Sequence, residues 1–222
     1  MKPAIEISHV SRRFSVAGGE FWALKDVTVT IPEGILAILK GRSGSGKTTL
    51  LNIIGALDAP SEGTVRIDGR EIGGLTERQR DDLHRRRMGF VFQAVSLIPS
   101  LNAYQNVEFS LRMAGIREGR KRRAEECLKL VGLGNRMTHM PAQMSGGEQQ
   151  RVAIARAMAH KPRILLADEP TAELDSAMAA EVTRLFAQLA EKEKVTVVMT
   201  THDLGLMDAG SMVIELENGE QR

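Results

Sequence analysis

The chain has 222 residues, enough for one substantial core and short for two independent ones. Its 42% hydrophobic and 26% charged content is that of an ordinary globular protein, and 4% aromatic residues leave the core to aliphatic side chains. A net charge of +2 is too small to draw nucleic acid by bulk electrostatics, the single cysteine (Cys127) can close no internal disulfide, and no Cys/His cluster has metal-ligand spacing.

In chain order, residues 1–14 hold no long apolar run, so a secretory leader is not expected. Residues 5–7 and 27–31 gather β-formers and predict strands. Pro32, Glu33 and Gly34 predict a turn, and 35–39, apolar throughout, a strand buried on both faces. Such stretches are strand-length, far below the roughly 20 residues that span a bilayer. A membrane role therefore needs another chain.

Next come Gly41, Arg42, Ser43, Gly44, Ser45, Gly46, Lys47 and Thr48, then Thr49 and an unbroken apolar run that predicts a helix. This is the G-x-x-x-x-G-K-[ST] pattern, with a strand leading in and a helix leading out. Glycines let the backbone wrap phosphates with its N–H groups, and the helix N-terminus adds a positive dipole end. Lys47 places a point charge on the β- and γ-phosphates, and the Thr48 hydroxyl is a hard ligand suited to Mg²⁺. Alone, the motif means a purine nucleoside triphosphate and does not choose among kinase, GTPase, motor and transporter ATPase. Residues 64–67, ahead of Asp68 and Gly69, predict a strand entering a turn.

From about Leu75 to Met158 the chain becomes rich in Arg, Glu, Leu and Ala at helical spacing, with Ala124, Cys127, Leu128 and Val131 on one face. Ser145 followed three residues later by Glu148 predicts a capped helix start. Residues 163–167 are a strand that ends in Asp168 and Glu169. Ligands collect at the carboxyl ends of strands in open parallel sheets. That places Asp168 beside the phosphate loop, holding Mg²⁺ through water, and Glu169 where it can polarise an attacking water. The same acidic pair could instead cap the following helix. A helix over 178–190 and strands over 195–201 and 213–216 complete an alternation that predicts a parallel sheet covered by helices, with the helical middle inserted into it.

Met144, Ser145, Gly146, Gly147 and Glu148, continued by Gln149, Gln150, Arg151 and the run to Ala157, resemble the LSGGQ signature of ATP-binding cassette (ABC) proteins. Gln93, after Val91 and Phe92, looks like the family's Q-loop; Ala172, Glu173, Leu174 and Asp175 look like its D-loop; Thr201, His202 and Asp203 look like its H-loop. The motifs occur in the family's order and the resemblance covers essentially the whole chain. It implies an α/β fold: a P-loop NTPase (RecA-like) core with a parallel sheet, an N-terminal antiparallel β subdomain and an inserted α-helical signature subdomain at about 94–158, all in one domain, 1–222.

The resemblance implies an ATPase that uses ATP and Mg²⁺. Glu169, His202, Lys47 and Gln93 would be its catalytic groups, and Thr48, Gln93 and Asp168 would stand at the metal. The loop from Gly41 to Thr49 would hold the phosphates. Phe14 would stack on adenine, where a ring contributes about 1–3 kcal/mol; it also reads as an ordinary edge residue, and Trp22 is an alternative. Ser145, Gly146, Gly147 and Glu148 would meet the ATP of a second copy in a head-to-tail, twofold sandwich. An integral membrane permease is the implied partner, with the ATPase in the cytoplasm on the inner face of the cell membrane, without nucleic acid and without a span of its own.

The run 51–63, together with Phe90, Phe92, Leu97, Ile98, Pro99, Asn106 and Val107, looks like the lipoprotein-release and macrolide-export branch (LolD-like and MacB-like). Members of that branch pair with permeases of few membrane helices and transmit motion across the membrane. A regulatory ATPase that controls an extracellular partner without transport would carry the same motifs. Ile35, Lys40, Met144, Ala172 and Glu173 depart from the common pattern and remove no catalytic group. Lys40 and Arg42 either add positive potential at the phosphates or point to solvent. The basic run 117–123 is either a solvated helix face or a docking surface for the permease or anionic lipid.

Overall fold

A computed structural model of the protein describes residues 2–16 and 19–222. Two long strands, β1 (Pro3–Val16) and β2 (Gly19–Pro32), pair antiparallel, and β4 (Glu62–Ile67) with the short β5 (Arg70–Glu71) extends them into a sheet of order β2-β1-β4-β5. The second sheet holds β3 (Leu36–Lys40), β6 (Met88–Val91), β7 (Ile164–Ala167), β8 (Thr196–Thr201), β9 (Met212–Glu217) and β10 (Glu220–Gln221). Its order is β10-β9-β3-β8-β7-β6, parallel except for the terminal hairpin.

Both faces of this sheet are covered, which explains its continuous apolar strands. Side chains alternate between two cores with the period of a strand. Leu36, Ile38, Leu165, Ala167, Val197 and Met199 enter one core; Ala37, Leu39, Ile164, Leu166 and Val198 enter the other. The second core is closed by α1 (Lys47–Ile54) and the antiparallel sheet. The first is closed by α6 (Ser176–Glu193) and by α3 (Ala103–Met113), α4 (Arg120–Leu130) and α5 (Gly146–Met158), which pack on one another. On α4 the face of Ala124, Cys127 and Leu128 is fully buried; burial pushes the Cys127 thiol up to about 11, so it acts as a small hydrophobe.

Three expectations shift. The middle stretch is not wholly helical: α2 (Glu77–Arg87) leads directly into β6, because four residues beside β7, three of them buried, need a paired backbone in the sheet. The basic run is only partly solvated. Arg117, Lys121 and Arg122 are exposed, but Arg120 Nε donates to Glu108 Oε1 at 2.6 Å and Arg123 Nε donates to the Ala159 carbonyl at 3.0 Å. Lys40 neither serves the phosphates nor lies free in solvent; its ammonium sits 2.9 Å from Glu215 Oε2, its register partner on β9. Among the described residues no helix is long and apolar enough to cross a membrane.

Candidate nucleotide site

Parallel pairing brings the carboxyl ends of β3, β8, β7 and β6 side by side, and each end carries a residue singled out above. From β3 the chain enters the loop 41–46 and then α1, whose N-cap is Gly46 at φ 103. That backbone strains any side chain, and a Cβ there would lie 2.6 Å from the Ala23 carbonyl oxygen. The Lys47 side chain is nearly buried and curls back over the loop. Its Nζ donates to the carbonyls of Gly41 at 2.8 Å and Arg42 at 3.1 Å and lies 3.6 Å from Glu169 Oε1. Ser45 Oγ is buried in the loop with no hydrogen-bond partner among the described residues. A buried hydroxyl left unpaired is costly, and it fits a loop shaped around an absent acceptor.

β7 supplies both carboxylates, and β8 between it and β3 supplies their hydroxyl and histidine partners. Asp168 Oδ1 accepts from the Thr48 hydroxyl at 3.1 Å and from the Thr200 hydroxyl at 2.7 Å. The same Thr200 oxygen accepts from the Glu169 backbone N–H at 2.8 Å. Glu169 adopts φ 42, a left-handed conformation that costs a non-glycine residue about 1–3 kcal/mol. Its other oxygen, Oε2, lies 3.4 Å from His202 Nδ1, just past the end of β8. Gln93 is exposed two residues beyond β6, next to the strand that ends at Asp168; the Asp168 N–H donates to the Val91 carbonyl at 2.9 Å.

Lys47, Thr48, Asp168, Glu169 and His202 therefore form one connected cluster. Thr200 belongs to it and went unnoticed in the sequence. The signal is a threonine directly after the apolar run 197–199, in a strand buried along its whole length, because a buried hydroxyl requires a partner. Thr48 and Asp168 bring two hard oxygens together, a donor set that suits Mg²⁺, and Mg²⁺ needs few protein ligands. Among the described residues no group of three or more His, Cys, Asp or Glu is arranged to hold a metal by itself.

Phe14 lies on β1 opposite Phe21 of β2, about one-third exposed at 37%, with the Arg12 guanidinium carbon 4.4 Å from its ring centroid. Two residues back along β1, Arg12 pairs with Leu24, which packs against Gly46, so the antiparallel sheet abuts the loop at Leu24.

Ser145, Gly146, Gly147 and Glu148 stand apart from the cluster. They open α5 with a capping box: Ser145 Oγ accepts from the Glu148 N–H at 3.2 Å, and Glu148 Oε2 accepts from the Ser145 N–H at 2.9 Å. The Ser145 backbone N–H, aided by Arg136, holds the Glu148 carboxyl below the usual range. No hydrogen bond or ion pair among the described residues joins this helix start to Lys47, Asp168 or Glu169.

Comparison with known proteins agrees with this geometry. The ABC transporter family model matches residues 24–172. An uncharacterized ABC transporter ATP-binding protein of Thermotoga maritima is 44% identical over 99% of this chain and 94% of its own length. A probable syringafactin export ATP-binding/permease protein of Pseudomonas syringae is 43% identical over 97% of this chain, which spans only 33% of that longer protein. MJ0796 of Methanocaldococcus jannaschii, solved as a dimeric ABC transporter cassette, superposes with a TM-score of 0.89 at 43% identity, covering 98% of this chain and 96% of that one. A second structure of MJ0796, a post-hydrolysis dimer bound to ADP and Pi, gives a TM-score of 0.88. A P-loop whose carboxylates follow a parallel strand of the same sheet, a capped signature helix and this likeness over the full chain together place the protein in the ABC transporter family, as an ATP-binding cassette.

Proposed function

We propose that the protein hydrolyses Mg-ATP as a head-to-tail dimer and thereby drives a separate membrane permease from the cytoplasmic face of the membrane. One observation carries the reading: the chain has a charged half-site with its side chains connected, and a capped, exposed helix start that no hydrogen bond or ion pair among the described residues joins to it. In a twofold dimer the helix start of one copy closes the half-site of the other.

In this reading the γ-phosphate lies between Lys47 and Thr48 of one chain and Ser145, Gly146 and Gly147 of the second. Lys47 exchanges the Gly41 and Arg42 carbonyls for phosphate oxygens. Thr48, Asp168 and Gln93 would hold Mg²⁺, which when bound neutralises charge on the phosphates. Glu169, held by Thr200 and strained into position, accepts the proton of the attacking water. His202 orients Glu169 and reaches toward the γ-phosphate. Phe14 offers a face to adenine. Loss of the γ-phosphate removes the charge that bridges the two copies, and the dimer opens.

The relatives that join such a cassette to a permease in one chain are named as exporters of syringafactin and macrolides. That supports the lipoprotein-release and macrolide-export branch, and transport over a purely regulatory role. The test is Glu169→Gln with ATP, followed by size-exclusion chromatography and phosphate release. We expect a stable ATP-bound dimer and hydrolysis lowered by about 10²–10⁴-fold. A variant that turns over normally, or stays monomeric with ATP, overturns the reading.

A further inference from the structure

Gly146 and Gly147 are neighbours at the start of α5, yet they meet different surroundings. Gly146 is exposed, and a methyl group built on its α-carbon would find no heavy atom within 4 Å. Gly147 is buried. The same methyl there would fall on the terminal methyl of Met178, with Met178 Sδ at 3.2 Å and Leu174 Cδ2 at 3.9 Å. The missing side chain is thus a notch, and a thioether from another helix fills it.

Met178 lies in the first turn of α6, a turn fixed by the Asp175 cap, whose Oδ1 accepts from the N–H groups of Ala177 and Met178 at 3.0 Å each. The segment from Glu169 to that cap is short and folded on itself. The Ala172 N–H donates to the Glu169 carbonyl at 3.2 Å, and the Leu174 N–H donates to the Thr171 carbonyl at 3.1 Å. One turn along the two helices, Arg151 and Glu181 add an ion pair at 3.4 Å. From Gly147 to Glu169 the path therefore runs through a filled notch, a capped helix turn and two hydrogen-bonded turns.

We propose that Met178 is a positioning residue, which locks the signature helix to the segment carrying Glu169 so that both move as one body. The inference rests on the reading that this helix start faces the partner copy's ATP. It divides the work of the two glycines: Gly146 is small so that the partner's nucleotide can approach, and Gly147 is small so that Met178 can enter. Closure of the dimer on the helix start would then be felt at the base that activates water.

The test is a double-mutant cycle on the full chain, read by kcat and KM for ATP, with melting temperatures recorded for every variant. Gly147→Ala drives a methyl into Met178 and should lower kcat about tenfold or more. Met178→Ala should lower kcat a few-fold at unchanged KM. In Gly147→Ala/Met178→Ala the new methyl occupies the emptied notch, and kcat should return to within about threefold of Met178→Ala alone. A double variant as impaired as Gly147→Ala, with a wild-type melting temperature, overturns the interlock. If Gly147→Ala does not fold, Met178→Ala decides: kcat and KM both unchanged overturns the proposal. Gly146→Ala separates the two ideas, because it disturbs nothing within its own chain. If it leaves ATP-dependent dimerisation and hydrolysis untouched, the partner-facing reading fails, whatever the cycle on Gly147 and Met178 shows.

Discussion

The phosphate loop and the signature helix solve opposite problems. At the loop, charge is abundant and the charged groups of the cluster already have neighbours: Lys47 has two carbonyls and Glu169, and Asp168 has Thr48 and Thr200. At the signature helix the Ser145 and Glu148 side chains satisfy each other, and what remains for a ligand is backbone. The first-turn N–H groups of Gly146 and Gly147 have no intrahelical acceptor, because none exists at a helix start. A small positive potential with low reorganisation thus faces outward, while the charged chemistry is prewired inward. The comparison teaches why the proposed site needs both halves: one brings the charged side chains, the other only backbone that can close over them.

The prewired half should be the more fragile. Lys47→Ala removes the only side-chain cation seen to touch both the loop carbonyls and Glu169 among the described residues. Hydrolysis should fall by at least about 10²-fold, since a preorganised donor at a reacting phosphate is worth that much. Phosphate release within tenfold of wild type would show that the loop's backbone alone carries the charge. Thr200→Val is smaller but more telling. It keeps shape, removes one of the two hydroxyl donors to Asp168, which keeps Thr48, and leaves the Glu169 N–H without its acceptor. A loss of about 1–3 kcal/mol is expected, shared between stability and kcat, so kcat should drop roughly tenfold. No change in either would mean that Asp168 and Glu169 are held by the strand and need no hydroxyl.

The two halves were not equally legible in the sequence. Lys47 and Thr48 follow from a pattern whose spacing is dictated by the phosphates, and the carboxylates from an apolar strand that ends at Asp168; local chain geometry was enough. Thr200 was not legible, because its role depends on which strand lies beside which, and β8 sits between β3 and β7 only through long-range pairing. β6 was lost in the helical middle for the same reason. Four apolar residues carry no period of their own, and only the neighbouring strand makes them β. At the signature, capping was readable from Ser145 and Glu148 three apart. That the two glycines have different neighbours was not, since Met178 lies far along the chain and meets Gly147 only in the folded protein.

A smaller effect probes the signature half. Gln150, one turn beyond Gly147 on α5, is almost wholly buried at 1% exposure, yet neither its Nε2 nor its Oε1 has a hydrogen-bond partner among the described residues. A buried amide left unpaired costs about 1–3 kcal/mol. Gln150→Met, close in volume and apolar, should raise the melting temperature of the nucleotide-free protein by about 2–4 °C. A fall would show that the amide is satisfied, which would make the signature helix as internally wired as the phosphate loop and erase the contrast.

The smallest effect concerns where the two halves meet. His160 follows α5, and its Nε2–H donates to the Met88 carbonyl at 2.9 Å, tying the end of the signature helix to the start of β6. Burial lowers its pKa below the ordinary value, and the nearby Arg123 pushes the same way, while the Met88 hydrogen bond opposes them. The folded protein therefore holds the ring neutral at pH values where the unfolded chain, near 6.5, has already taken a proton. The unfolded state binds more protons in that window, so stability falls as pH drops below about 6.5 and is unaffected by this group above it. His160→Gln keeps a donor without the titration. The wild type should lose more melting temperature than the variant between pH 7.5 and 5.5. Parallel pH profiles would mean that the ring takes up its proton without leaving Met88, and that the junction of the two halves tolerates a buried charge.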